Sequence, residues 1–298
     1  MNSKGGIALK VAYFGDGPWA HRALSLIFRE SRIRVEMVVA RCDNPDPILA
    51  GMAAEAGVPF ETYRDVNAGE AMEKIRLRGI DLGVSMSFNQ IIRRPLLAAF
   101  PVGFINCHAG ALPFYRGRNV LNWAIANGEA RFGVTVHYID EGIDTGDIIL
   151  QNFGPITPWD DYGSVLERAY ELCAVTLNQA LLEILAGTAG RVPQNTYHPV
   201  GHYCGRRRLG DEWIDWSSSA SRLCDFIRAI APPGPSARTV IGEKPIAILS
   251  VRLIPGAPDY VCTPGEVVGR ESEGCTVKVG DSTVRVTGFA EIDAAGEV

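Results

Sequence analysis

No run of about 20 apolar residues, the length that crosses a bilayer, occurs in this 298-residue sequence. The opening stretch MNSKGGIALK lacks the apolar segment of a secretory signal. Seven cysteines (42, 107, 173, 204, 224, 262 and 275) include no CxxC pair. An odd set without close spacing excludes a disulfide framework and fits thiols kept reduced, as small core residues. Basic excess is also missing. The formal net charge is −5, which argues against the clustered positive surface that a nucleic-acid footprint needs. Repeats and low-complexity tracts are absent, and 47% hydrophobic against 21% charged residues excludes disorder as a class. These absences predict a soluble cytoplasmic protein with a sizeable core.

What is present begins as alternation. ALKVAYFG, VEMVVA, IDLGVSMS and VGFINCH are short apolar runs, and between them lie helical patterns: the segment from Trp19 to Phe28, PILAGMAAEAG with Gly57 as its stop, AGEAMEKIRLRG and RRPLLAAF. Strands alternating with helices predict an α/β fold with a mostly parallel, doubly wound sheet, in which ligands sit beyond the carboxyl ends of the strands. After Gly128 the pattern changes. FGVTVHYID and DIILQNFGPI read as two strands around the loop EGIDTG, and residues 162–186 read as a long amphipathic helix. SRLCDFIRAI reads as a helix stopped by Pro232 and Pro233. The tail carries short alternating runs broken by Gly, Pro and Asp, the pattern of a small antiparallel β-barrel or sandwich. The boundary expected from this change of texture divides the chain into residues 1–203 and 204–298.

Two weaker motifs have structural explanations. GDGPWA fits G-x-G-x-x-G/A after the first strand, but Val39, Ala40 and Arg41 stand where the dinucleotide fingerprint wants an acid, so a tight strand-to-helix turn is expected instead. The YCGRRR cluster fits either a solvated loop or an anion contact, and His198 and His202 beside it lack further ligands at metal spacing.

FINCHAGALPFYRGR carries more. On an extended strand Asn106 and His108 project from one face, while Cys107 points the other way. An imidazole can hold a proton near neutral pH, and an amide can donate to an oxygen gaining charge. A carboxylate should orient the imidazole, and in DEGIDTG the candidates are Asp140, Glu141 and Asp144, with Asp144 the best placed.

NCHAGALPFYRG resembles the N-x-H…LLP-x-x-RG signature of the 10-formyltetrahydrofolate-dependent formyltransferases, and DEGIDTGDII resembles that family's D-x-G-x-D-T-G-x-I segment. YCGRRRLGDEWIDWSSSASRLCDFIRAI is similar to the linker and first helix of the family's carboxyl-terminal domain. The resemblance implies a Rossmann-like formyltransferase domain followed by a small OB-like β-barrel. It also implies Asn106, His108 and Asp144 as catalytic residues. N10-formyltetrahydrofolate as co-substrate would lie along Gln90, Ile91, Ile92, Arg118 and the loop Asp140, Glu141, Gly142, Ile143 and Asp144, and no metal is expected. One departure stands out: the family's S/P-LLP stretch reads Gly110-Ala111-Leu112-Pro113, a change expected to repack the loop and leave the trio intact.

The acceptor amine is read from a loop. Methionyl-tRNA formyltransferases carry a long Lys/Arg-rich insertion after the second strand, whereas here VVARCDNPDPILAG runs almost at once into a helix. YRGRNVLNWAIANGE and GRRRLGDEWIDWS resemble the formyltransferase part of enzymes acting on UDP-4-amino-4-deoxy-L-arabinose. The resemblance therefore points to an amino sugar carried by UDP or dTDP. Alternatives are an amino acid such as N-hydroxyornithine, methionyl-tRNA, and, from another class, a non-catalytic or NAD-binding module. A homodimer is one of the uses open to the carboxyl-terminal barrel, and no membrane partner is expected.

Overall fold

The structure is a computed structural model that describes residues 8–272 and 274–293. Its contacts divide the chain into two units. The first holds residues 1–117, 133–154 and 168–203, and the second holds residues 118–132, 155–167 and 204–298.

In the first unit the expected strands β1 (Leu9–Gly15) and β2 (Ile33–Ala40), a short β3 (Phe60–Thr62) that the apolar pattern does not mark, and the expected β4 (Leu82–Met86) and β5 (Gly103–His108) pair in parallel. β1 and β4 are buried almost throughout, as strands covered on both faces by crossover helices must be. A two-residue strand, β6 (Arg116–Gly117), follows β5. Strands β7 (Arg131–Tyr138) and β8 (Ile148–Pro155) complete a seven-stranded sheet in the order β3-β2-β1-β4-β5-β7-β8. β7 runs antiparallel to β5, with His137 opposite Asn106 and Thr135 opposite His108. That register decides the site described below.

The helices start and stop where local chemistry dictates. α1 (Gly17–Ile27) follows the GDGPWA turn, and the Gly17 N–H donates to the Asp46 carboxylate at 2.8 Å. The other Asp46 oxygen accepts from the backbone N–H groups of Ile48 and Leu49 and so caps α2 (Pro47–Glu55). An N–H at the α1 terminus that could have met a phosphate is thus occupied by the chain's own carboxylate, in agreement with the structural explanation of this motif. α3 (Gly69–Arg78) ends on Gly79 in the left-handed region, with Arg76 and Arg78 in its last turn, where cations offset the carbonyl end of the helix dipole. α4 (Arg94–Leu97) is a single turn. One core cluster is aromatic: Phe14 packs on Phe88, Phe100 and Phe104 with centroids 5.0–6.4 Å apart. Gly83 lies opposite Phe104 in the β4–β5 register, and a Cβ there would come within 2.4 Å of the Phe104 ring, so only glycine admits that ring.

In the second unit α5 (Val120–Ala126) packs with α7 (Ala220–Ala229), and Asn122 donates to the Ala229 carbonyl at 2.6 Å. α7 starts on a Ser219 side-chain cap and stops short of Pro232 and Pro233, as expected. The helix α6 (Tyr162–Ala186) has the bounds expected from its periodicity, and a short strand β9 (Tyr203–Cys204) follows it in the chain. The tail forms the small antiparallel β domain: β10 (Ala237–Ile241), β11 (Lys244–Leu253), β12 (Val267–Glu271), β13 (Gly274–Lys278) and β14 (Thr283–Glu291), paired in the order β10-β11-β14-β13-β12. Among the described residues no helix is long and apolar enough to cross a membrane.

Candidate active site

The end of β5 places Asn106 and His108 on one face, while Cys107 is buried on the other and its thiol contacts the Cys173 carbonyl of α6 at 3.6 Å. The loop after β5 then returns so that the Tyr115 carbonyl lies 2.7 Å from His108 Nε2. A carbonyl only accepts, so Nε2 carries the ring proton and Nδ1 is left with its lone pair. Nδ1 faces the Asp144 carboxylate at 3.7 Å, and that carboxylate accepts the Gly117 N–H at 2.9 Å.

Asp144 reaches this position from the 140–145 loop. Asp140 accepts from the Gly142 N–H and the Thr145 hydroxyl, closing a local turn, and Asp144 itself takes a left-handed φ of +54°. The three residues expected to act together are therefore adjacent.

A fourth group was not singled out from the sequence. His137 donates through Nδ1 to the Tyr138 carbonyl at 2.8 Å. Its Nε2 accepts from the Asn106 amide nitrogen at 3.3 Å and stands 3.6 Å from the second Asp144 oxygen. A signal existed in FGVTVHYID: Thr135 and His137 alternate as polar positions in an otherwise apolar strand. Among the described residues the Asn106 amide has no other side-chain partner, so its remaining N–H is open to a substrate oxygen.

Burial sets the charges. His108 is 8% exposed, and this desolvation holds its pKa below the ordinary value; Asp144 and the Tyr115 carbonyl offset only part of the effect, and His137 adds to it. Burial alone would raise the Asp144 pKa, but the two imidazoles and the Gly117 N–H outweigh it and hold the carboxyl well below its usual range. At neutral pH the site rests as a neutral imidazole beside a carboxylate, ready to accept one proton at Nδ1.

Gly110 makes this arrangement possible. A Cβ at that position would lie 2.5 Å from both His108 Nε2 and the Tyr115 oxygen, inside their hydrogen bond. The trio stays together beside this departure from the family pattern. Thr135 fixes the loop by donating to the Gly110 carbonyl at 2.7 Å, and Gln151 donates to the Leu112 carbonyl at 2.9 Å.

The other singled-out residues separate by environment. Gln90 is engaged at both ends of its amide, accepting from the Val66 N–H and donating to the Tyr63 carbonyl. Ile91 is 62% exposed, whereas Ile92 is buried in the aromatic core. Glu141, Gly142 and Ile143 are exposed on the 140–145 loop, and Glu141 pairs with Arg94 at 2.9 Å. That ion pair ties the loop to the segment that follows Gln90, Ile91 and Ile92. Arg118 is exposed in the second unit, and its backbone N–H donates to the Cys204 carbonyl. Among the described residues no cluster of three or more His, Cys, Asp or Glu forms a metal-binding set.

Comparison with known proteins decides the family. The formyl transferase pattern matches residues 9–181, and the formyl transferase carboxyl-terminal domain pattern matches residues 208–293. The chain belongs to the formyl transferase family. A methionyl-tRNA formyltransferase of Trichlorobacter lovleyi is 32% identical over 274 residues, covering 88% of this chain and 84% of the relative. Another, of Citrifermentans bemidjiense, is 29% identical over 297 residues, covering 97% and 90%. Among solved structures, WlaRD, a sugar 3N-formyl transferase crystallised in the presence of dTDP and 5-N-formyl-THF, aligns with a TM-score of 0.71 at 20% identity over 95% of this chain and 98% of its own. The N-formyltransferase from Helicobacter canadensis, in complex with folinic acid and dTDP-3-aminofucose, aligns with a TM-score of 0.69 at 20% identity over 94% and 99%. Identities this low speak for a shared formyl transferase fold.

Proposed function

We propose that this formyl transferase moves the formyl group of N10-formyltetrahydrofolate to the primary amine of an amino sugar carried by UDP or dTDP. The observation that carries the acceptor choice is the connection between β2 and α2. Only residues 41–46 join them, in the sequence RCDNPD, and its one cation, Arg41, is held by Asp43 and Asp16 at 2.6 and 3.3 Å. A short acidic connection offers a polyanionic tRNA no grip. The fold shared with two sugar N-formyltransferases supports the same acceptor class. Methionyl-tRNA remains the second acceptor, favoured by the sequence identity to methionyl-tRNA formyltransferases.

The co-substrate supplies an electrophilic formyl carbon. Exposed Ile91 and the exposed 140–143 backbone, tied together by Arg94 and Glu141, offer a fixed surface along which a folate could lie, with Gln90 bracing the first segment from behind. Arg118 is assigned to the same ligand on the family resemblance alone. Asn106, His108 and Asp144 carry the chemistry. Asn106 directs its open N–H at the oxygen that gains charge, a donor worth about 10²–10³ in turnover. His108 starts neutral, takes the amine's proton at Nδ1 and returns it to the departing nitrogen. Asp144 stabilises the imidazolium in between. Burial of His108 favours a neutral resting ring, so the proton comes from the nucleophile. This proposal assigns catalysis to residues 1–203 and the antiparallel β domain to residues 204–298.

The test mixes the protein with N10-formyltetrahydrofolate and a panel of UDP- and dTDP-linked amino sugars, N-hydroxyornithine and methionyl-tRNA, each followed by mass. A formyl gain on an amino-sugar nucleotide is expected; formylation of methionyl-tRNA alone contradicts the acceptor choice.

A further inference from the structure

We propose that Gln194 is a positioning residue for the catalytic carboxylate, locking the Asp144 loop to the loop after β5. It lies in a 3-10 turn (Gln194–Thr196) that follows α6, fifty residues beyond Asp144, and nothing in the catalytic motifs points to it. The inference rests on the functional role of Asn106, His108 and Asp144 argued above.

All of Gln194's amide capacity is spent on this one place. Its Nε2 donates to the Asp144 carbonyl at 2.8 Å and to the Gly146 carbonyl at 2.9 Å, so both amide protons bracket the bend that carries the carboxylate. Its Oε1 accepts from Arg116 Nε at 3.1 Å and Nη2 at 2.7 Å. Arg116 is the neighbour of Gly117, whose N–H donates to the Asp144 carboxylate. One side chain thus joins the backbone of the carboxylate loop to the strand that supplies the carboxylate's own hydrogen bond. Gln194 is 4% exposed, so these bonds are shielded from water and each lost partner would leave a buried polar group unsatisfied.

Two features show why Asp144 needs an external clamp. It holds a left-handed φ, a conformation that costs a non-glycine residue energy, though less for Asp than for most, and that contacts around the bend help to hold. The Asp144–His108 contact at 3.7 Å is also too long for a direct hydrogen bond to fix the geometry by itself. The backbone must supply the position. The segment after Gln194 contributes to the same end, because the Arg116 N–H donates to the His202 carbonyl and the Tyr115 N–H to His202 Nε2.

The ionisable groups facing His108 are Asp144, from the 140–145 loop, and His137, from β7. The nearest cation of the clamp, Arg116, is held by Gln194. Releasing Asp144 therefore withdraws the anion that favours the His108 cation. The His108 titration midpoint should fall, a readout that a merely structural role would leave in place.

Two variants separate the parts. Gln194→Met removes both halves of the clamp. Gln194→Glu keeps an acceptor for Arg116 but loses both donors to the carboxylate loop. The His108 ring is titrated by NMR in the full chain, with its signal assigned by its loss in His108→Gln, and circular dichroism reports the fold. Both Gln194 variants are expected to lower the His108 midpoint and to reduce kcat by about 10-fold to 10²-fold with a smaller change in KM. A wild-type midpoint and kcat in Gln194→Glu overturns the inference, and loss of native circular dichroism in both variants overturns it in favour of a purely structural role. If His108→Gln keeps full transfer activity, the catalytic assignment fails, while the midpoint shift still decides whether Gln194 sets the Asp144–His108 geometry.

Discussion

His137 stands directly across the β5–β7 pair from Asn106, and its Nε2 accepts the Asn106 amide proton at 3.3 Å. Because the other ring nitrogen is committed to the Tyr138 carbonyl, His137 can only accept at Nε2 while neutral. It therefore fixes which way the Asn106 amide is turned, leaving the second N–H for the substrate. Replacing His137 with Ala should lower kcat by about 10-fold to 10²-fold through misdirection of that donor, with little change in KM for the folate. Steady-state kinetics check this; an unchanged kcat would remove His137 from the site.

The charge state of His108 gives a pH dependence with a definite sign. Its folded pKa lies below the unfolded value of about 6.5, so the active neutral ring persists to more acid pH than a free histidine allows. Turnover should hold through neutrality and fall as pH drops through the lowered pKa. Asp144→Asn should move that acid limb further down, since the carboxylate favours the cation, and lower the plateau as well.

Stability should follow the same sign. The unfolded chain binds a proton at this histidine below about 6.5, where the fold resists it, so the stability that His108 confers is complete above that pH and lost as pH falls towards the folded value. Asp144 adds a second loss at lower pH, since its depressed pKa contributes stability above about 3.9 that disappears as pH falls through the folded value. Thermal melts of the wild type and His108→Gln between pH 7 and 4 test this: the wild type should lose more stability on acidification.

Gly110→Ala should disturb the site without touching a reacting group. The added Cβ would enter the His108–Tyr115 hydrogen bond at 2.5 Å, and overpacking of this kind costs about 1–3 kcal/mol. Melting temperature and kcat are expected to fall together. A variant with wild-type kcat would show that the Tyr115 contact is dispensable.

Much of this architecture could be read from local sequence. Gly79 and Gly57 stop their helices, α6 has the bounds its periodicity gives, and the N-x-H spacing does place Asn106 and His108 on one face with Cys107 behind. Each of these depends on residues close in sequence. What was not legible depends on register and on the backbone. His137 joins Asn106 only because β7 pairs antiparallel with β5 at one register, and the sequence identifies β7 as a strand without fixing its partner. The Tyr115 carbonyl and the Gly117 N–H leave no trace in residue identity, since any residue carries them. Gln194 is hidden for a third reason: it arrives from a loosely patterned segment far along the chain.

The most direct test of the central claim measures formyl transfer from N10-formyltetrahydrofolate by His108→Ala, with circular dichroism and thermal melting confirming the fold. The expected result is a native spectrum with turnover reduced by at least about 10²-fold. A folded His108→Ala protein that still transfers the formyl group at close to the wild-type rate would contradict it.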